Sequence, residues 1–188
     1  MPTLEKLSRS GAGPVSESTL LSFQNGKFDV CRVHGPVRLA RLLCNSGIAP
    51  EGQAYAANRE DGAFWFLEEQ LVWLRTCATA DLRENSGVSA QRLGFYLRLV
   101  LRDLLAVRRD WTPSFDQYSV LAVPNGRSVV ALVGTIAGQP VYDPGSAAGI
   151  GASDKGILLQ GGFTQFVVDF SHPTNIGLEH FVQGPMAL

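Results

Sequence analysis

Apolar and polar positions alternate in several short runs of the chain. Such runs predict β-strands, because successive side chains of a strand point to opposite faces. The strand-like runs are residues 28–35, 117–124, 128–136 and 163–169. Residues 124–127, Pro-Asn-Gly-Arg, separate two of these runs and indicate a hairpin or a turn. In the first run, the adjacent apolar residues Val30 and Cys31 favour a central strand, since a one-sided sheet could bury only one of them.

Helical spacing of apolar residues marks three further segments. A helix is predicted from Pro36 to a stop at residues 45–47, Asn-Ser-Gly. A second helix is predicted over residues 67–75, directly after an aromatic cluster at residues 63–66. The third covers residues 89–109 with Ser89 as its N-cap, and its five arginines are interpreted as a solvated helix face.

The order of these elements predicts an α+β fold in a single domain. Helices dominate the first half and strands the second, so we expect a helical first half packed on a mixed, mainly antiparallel sheet. Residues 1–26 are rich in Ser, Gly, Pro and Thr and are predicted to be a flexible leader before one domain over residues 27–188. Residues 138–156 are predicted to form a long loop of small residues, which in compact domains is usually functional.

Composition and charge exclude several classes of function. The 188 residues carry a net charge of −1, so no general basic field is available to hold nucleic acid. Three cysteines without CxxC spacing argue against a disulfide framework or a zinc site and predict reduced, mostly buried thiols. Neither a membrane-spanning apolar run nor the apolar core of an N-terminal signal peptide occurs.

Two functional hypotheses follow from single features of the chain. Cys44 with His172 or His180 could form the nucleophile and base of a cysteine hydrolase, although burial of Cys44 near a predicted helix end is the favoured explanation. The long helix over residues 89–109 could instead serve a non-catalytic adaptor, which predicts an exposed apolar patch.

A third hypothesis joins residues from separate parts of the chain. Arg32 and His34 share one face of the first strand, and a guanidinium can hold a diphosphate through paired hydrogen bonds. Aromatic rings near residues 55–66 could stack on a flat, positively charged heterocycle such as nicotinamide. Gly161 and Gly162 allow close approach of the backbone to a ligand, and Gln165 could hydrogen-bond a ribose hydroxyl.

The same segments resemble the ADP-ribosyltransferase-like toxin superfamily, especially its bacterial NAD-glycohydrolase and polymorphic-toxin members. The similarity covers residues 28–36, with Cys-Arg-Val-His-Gly at 31–35, and residues 117–170, with Gly-Gly-Phe-Thr-Gln at 161–165. It implies the split sheet of that superfamily and NAD as the substrate, without a metal. Arg32 would hold the NAD phosphates and Gln165 would take the catalytic position. Tyr55, Phe64 or Trp65 would line the nicotinamide pocket.

The resemblance also carries expectations about the biological setting. It implies a secreted effector that acts in the cytosol of a target cell, with a protein acceptor and a cognate immunity protein or chaperone. The late strand has Thr164-Gln165 and no Glu-x-Glu, which argues against transfer to arginine. Transfer of ADP-ribose to another macromolecule and hydrolysis by water both stay open.

Overall fold

A computed structural model describes residues 2–12, 15–43, 64–85, 89–106, 117–140 and 158–188. Cys44, Tyr55 and residues 141–156 of the predicted loop lie outside these ranges. The described strands are β1 (Thr3–Lys6), β2 (Asp29–His34), β3 (Val37–Leu43), β4 (Phe64–Leu67), β5 (Gln117–Val123), β6 (Ser128–Thr135), β7 (Gln139–Pro140), β8 (Leu158–Leu159), β9 (Thr164–Val168) and β10 (Val182–Ala187). The described helices are α1 (Glu17–Leu21), α2 (Glu68–Asn85) and α3 (Ala90–Leu104).

Eight of the described strands form one sheet in the order β1-β2-β6-β9-β4-β3-β5-β10, and β7 pairs with β8 separately. Every strand pair within the described residues is antiparallel. The protein is therefore a mixed α/β fold built on a mainly antiparallel sheet. The predicted helical first half is wrong, because strands β1 to β4 precede the two long helices α2 and α3.

A long, bent β-ribbon forms the centre of the sheet. β2 pairs with β6 and β3 pairs with β5, so residues 29–43 run antiparallel to residues 117–135. At the bend only two residues, Gly35 and Pro36, lie opposite residues 124–127. The Gly35 N–H donates to Arg127 O at 2.9 Å and joins the two bent strands. Residues 124–127 thus form a turn, as predicted, but the hairpin is wrong because β5 and β6 pair with other strands.

The helix predicted after Pro36 is also wrong, since residues 37–43 form strand β3. All seven residues of β3 are paired with β5. The strand is buried on both faces, with Val37 and Leu39 on one side and Ala40 on the other. A strand covered on both faces has no polar alternation, so its apolar run resembles a short buried helix.

The bend folds the sheet around its own core. Side chains of the inner face, including Val33, Leu39, Leu121 and Phe166, pack into one buried cluster. The outer face has two covers. Helices α2 and α3 pack over Ala40, Phe66, Tyr118 and Val120 of strands β3, β4 and β5. The described residues of 2–28 pack over Val30, Val130, Leu132 and Val167 of strands β2, β6 and β9, and we call them the N-terminal cover.

Several predicted elements are confirmed. Strands β2, β5, β6 and β9 match the alternating runs, and α2 contains all of the helix predicted over residues 67–75 except Leu67, which ends β4. α3 begins where predicted, with the Ser89 side chain accepting a hydrogen bond from Arg92 N at 3.2 Å. β2 is covered on both faces, because Val30 and Cys31 are both buried.

The predicted leader contains regular structure. Thr3–Lys6 pairs with β2 along four residues, and Phe23 is buried among strands β2, β6 and β9. The apolar residues Leu7, Val15 and Phe23 supply the contacts that order this Ser- and Gly-rich stretch, since burial of apolar surface offsets the entropy of ordering.

Candidate functional site

Arg32 and His34 both contact one carboxylate of the N-terminal cover. Arg32 Nη1 donates to Glu5 Oε2 at 2.8 Å, and His34 Nε2 lies 3.3 Å from the same oxygen. Glu5 is directly opposite Arg32 in the β1–β2 ladder, which brings the two side chains together. The hydrogen bond from Arg32 lowers the pKa of Glu5, and the nearby His34 adds to this effect. The guanidinium is partly exposed and already holds an anionic group.

Gln165 is buried beneath the other end of the N-terminal cover, with 6% of its surface exposed. Its Nε2 donates to Ser22 Oγ at 2.8 Å, and Ser22 Oγ in turn donates to Thr19 O at 2.7 Å. The Ser22 carbonyl accepts from Ala137 N at 2.9 Å, which fixes this part of the cover against the end of β6. Gln165, the predicted ribose contact, is therefore covered by another part of the chain.

Arg32 and Gln165 lie on the same face of the sheet. Arg32 pairs with Val130 on β6, and Gln165 pairs with Gly134 on the same strand. Val130 and Gly134 are an even number of residues apart, so all four side-chain positions face outward. Two strand spacings and four residues along β6 place the two Cα atoms about 17 Å apart. Only an extended molecule could contact both side chains.

The surface between these two residues is apolar. Val130, Leu132 and Val167 lie between them and are buried under Phe23 of the N-terminal cover. Gly134 is essential to this packing, because a Cβ there would lie 2.7 Å from Lys27 O and 2.7 Å from a Phe23 ring carbon. Within the described residues, Arg32 and Gln165 thus share a face but are not joined by an open cleft.

The candidate aromatic residues divide between the two faces. Phe64 is exposed on the outer face of the sheet. It pairs with Val167 of β9, and Phe66, two residues further along β4, pairs with Gln165. Trp65 points to the inner face, where it is 1% exposed and packs edge-on against Phe170 with ring centroids 6.2 Å apart. Phe64, and not Trp65, therefore shares the face of Arg32 and Gln165. Tyr55 lies outside the described residues.

Gly161 and Gly162 approach the end of helix α3. Gly161 N donates to Asp103 O at 2.8 Å, and Gly162 N donates to Ile136 O at 3.2 Å. Both glycines have positive φ, and a Cβ on Gly161 would lie 2.6 Å from Ile136 O. The Gly161 contact satisfies a carbonyl of the last turn of α3, whereas the Gly162 contact is made to the residue that follows β6. The close approach predicted from the glycine pair is made to another part of the chain.

The described cysteines differ in exposure, and His172 and His180 each contact a residue close to them in the chain. Cys31 is buried, whereas Cys77 on α2 is exposed, so the expectation of mostly buried thiols fails for Cys77. His172 Nδ1 accepts from Thr174 N at 3.2 Å, and His180 Nε2 lies 3.9 Å from Glu179. The Cys44 hypothesis depends on a residue that the structure does not describe.

Sequence reasoning missed Glu5 and Ser22, the two cover residues that hold Arg32 and Gln165. The Ser, Gly and Pro content of their stretch predicts a flexible leader instead. The available signal was its scattered apolar residues, Leu4, Leu7, Leu20, Leu21 and Phe23. These residues show that part of the stretch can pack on a sheet, but they do not identify which polar residue meets which partner.

Neither a cluster of metal-ligating side chains nor a membrane-spanning helix occurs among the described residues. Among them, no group of three or more His, Cys, Asp or Glu side chains could hold a metal ion. No helix within the same ranges is both long and apolar enough to cross a membrane.

Helices α2 and α3 expose large apolar side chains to solvent. The exposed set is Val72 and Trp73 on α2 and Phe95, Tyr96 and Leu99 on α3. Scattered single apolar residues are normal on a surface, whereas large contiguous apolar patches mark interaction sites. Three of these exposed side chains lie within five consecutive residues of α3.

In comparisons with known proteins, no family model, no curated protein and no solved structure matches the chain.

Proposed function

We propose that the protein is an NAD-consuming enzyme that cleaves the bond between nicotinamide and ribose. The supporting observation is that Arg32 and Gln165, chosen from sequence for this chemistry, lie on one face of the sheet at the separation of an extended ligand. Both side chains also make hydrogen bonds that a ligand could replace, to Glu5 and Ser22.

Arg32 would bind the diphosphate of NAD. A guanidinium donates paired hydrogen bonds to carboxylate and phosphate oxygens with similar geometry. Its present partner in the fold is a carboxylate, which demonstrates that its donors reach an anion on the outer face. His34 lies on the same strand and contacts the same carboxylate, so it would add a second donor when protonated.

Gln165 would orient the ribose next to nicotinamide. The C1′–N bond breaks with its electron pair leaving on nicotinamide, and positive charge develops on the ribose. A side-chain amide that hydrogen-bonds a ribose hydroxyl holds the sugar in position as this charge develops. Water then adds to C1′ and loses a proton, or a nucleophile of a macromolecule adds instead. Phe64 is the described candidate for a ring contact with nicotinamide.

The remaining expectations from the resemblance belong to the same proposal. They are the split-sheet fold of ADP-ribosyltransferase-like toxins, delivery as a secreted effector into a target-cell cytosol, a macromolecular acceptor, and an immunity protein or chaperone. The antiparallel sheet and the Gly-Gly-x-x-Gln stretch before and within β9 support this proposal.

The test is nicotinamide release from NAD by the purified full chain, with and without a cell lysate as a source of acceptor. We expect release by the wild type and its loss in both Arg32→Ala and Gln165→Ala. Arg127→Ala is the matched control for Arg32, because Arg127 is an exposed arginine that contacts the Phe181 ring instead. Equal release by the wild type and both site variants would refute the proposed site, and no release under either condition would refute the function.

A second candidate is a non-catalytic interaction domain, favoured by the exposed apolar side chains of α2 and α3. This function predicts that Phe95→Ser with Leu99→Ser prevents binding of a partner that the wild type captures. Leu158→Ser is the control, because Leu158 is also exposed and apolar but lies on β8. Equal capture by all three chains would exclude these helices as the contact.

A further inference from the structure

The strand β1 is weakly attached to β2, and its Glu5 carboxylate occupies the Arg32 guanidinium. It is an edge strand of the sheet, and all four of its residues are exposed. Besides its backbone pairing, it is held to β2 by the exposed ion pairs Glu5–Arg32 and Lys6–Asp29. Exposed ion pairs contribute little to stability, and short edge strands are among the parts of a fold that open most easily.

The rest of the N-terminal cover is anchored independently of β1. Phe23 is buried in the cluster with Val30 and Val167, and Ala137 N bonds to Ser22 O. β1 can therefore separate from β2 while Phe23 remains in place. This separation would release Arg32 and His34 together, because both contact the Glu5 carboxylate.

We propose that β1 is an intramolecular competitor for the anion site at Arg32. The Glu5 carboxylate occupies the guanidinium in place of the diphosphate of a ligand, and ligand binding detaches β1 from β2. Carboxylate and phosphate compete directly, because both accept the same paired N–H donors. The inference rests on the proposed function, from which it takes the diphosphate as the ligand. Without ligand, the Arg32 end of the site is kept closed by the protein's own N-terminal strand.

The experiment measures ADP-ribose binding to the full chain by calorimetry and backbone amide exchange in residues 3–6 by mass spectrometry. ADP-ribose carries the diphosphate and has no nicotinamide to lose. We expect ADP-ribose to increase exchange in β1. We also expect Glu5→Ala to bind ADP-ribose about two- to fivefold more tightly than the wild type, as loss of one exposed ion pair allows. Glu5→Gln, which retains the shape of the side chain, should behave in the same way.

Glu17→Ala is the matched control, because Glu17 is an exposed carboxylate of the same cover on α1. It should bind ADP-ribose like the wild type. Equal affinity of the wild type, Glu5→Ala and Glu5→Gln would overturn the competition while leaving the proposed function intact. Absence of ADP-ribose binding in every chain, together with absence of nicotinamide release, would overturn both.

Discussion

Gly35 lies directly against the backbone of Pro124, and a Cβ on Gly35 would be 2.0 Å from the Pro124 carbonyl oxygen. This contact occurs at the bend where β2 continues into β3 and β5 into β6. The bend allows both halves of the ribbon to contribute side chains to one inner core. The close approach of two backbones, and not a turn conformation, is what requires glycine here.

Replacement of Gly35 by alanine should therefore destabilise the fold. The added methyl group would meet backbone atoms that cannot rotate away, so we expect a loss of about 3 kcal/mol or more in the free energy of unfolding. Gly94→Ala is the matched control, since a Cβ there would meet only Arg98 Nη1 at 3.5 Å within α3. It should stabilise the protein by about 0.5–1 kcal/mol. Urea denaturation measures both changes, and equal stabilities would contradict the bend contact.

Asn175 completes the hydrogen bonding of Val130 beyond the end of β9. Its Oδ1 accepts from Val130 N at 2.8 Å, and its Nδ2 donates to Val130 O at 2.8 Å. Asn175→Ala would leave both buried backbone groups without these partners and should cost at least about 2 kcal/mol of stability. Asn125→Ala, at an exposed turn position, should stay within about 0.5 kcal/mol of the wild type. Similar losses in the two variants, measured by thermal or urea unfolding, would contradict this role.

The attachment of β1 should depend on pH through Glu5. Arg32 lowers the pKa of Glu5 below its ordinary value of 4.5. Because the pKa is depressed in the folded protein, the stabilising contact is present above the unfolded pKa and is lost as the pH falls through the folded pKa. An NMR titration of the Glu5 carboxyl should give a midpoint below 4.5 that rises in Arg32→Ala. Lys27→Ala, which removes a different exposed cation, should leave the midpoint unchanged. An unchanged midpoint in Arg32→Ala would contradict the contact.

The two described cysteines should differ in reactivity. Cys77 is exposed on α2, whereas Cys31 is buried, and burial raises the pKa of the Cys31 thiol. Because the thiolate is the reactive form, iodoacetamide should label Cys77 well before Cys31 in the folded protein. Peptide mapping by mass spectrometry measures both sites, and labelling in denaturant should remove the difference. Equal labelling rates in the native protein would show that Cys31 is accessible.

Elements with a clear local signal were predictable from sequence. The apolar spacing and the Ser89 cap of α3 are local features, and β2 and β9 show local alternation and β-branched content. By contrast, residues 37–43 have apolar residues on both faces, so a strand and a buried helix satisfy the same pattern. Residues 37–43 form a strand because they pair with β5, which lies about 80 residues away in the chain.

The candidate site was predictable only as a set of residues. Arg32, His34 and Gln165 could be selected by the chemistry of their side chains, and the alternation of each strand predicted which neighbours share a face. The sequence could not predict that Glu5 and Ser22 bind these side chains, or that Trp65 faces inward and Phe64 outward relative to them. Such relations depend on the order and register of strands.

By itself, the sequence determined most of the local elements, the both-sided burial of β2 and the residue types available for an anion or ribose site. Only the tertiary structure decided that Pro124–Arg127 bends a ribbon without forming a hairpin, and that the N-terminal stretch covers the outer face. The physical reason is the range of the interactions. Helix caps and side-chain periodicity involve residues a few positions apart, whereas strand pairing and burial join distant segments whose mutual fit is not encoded in any one of them.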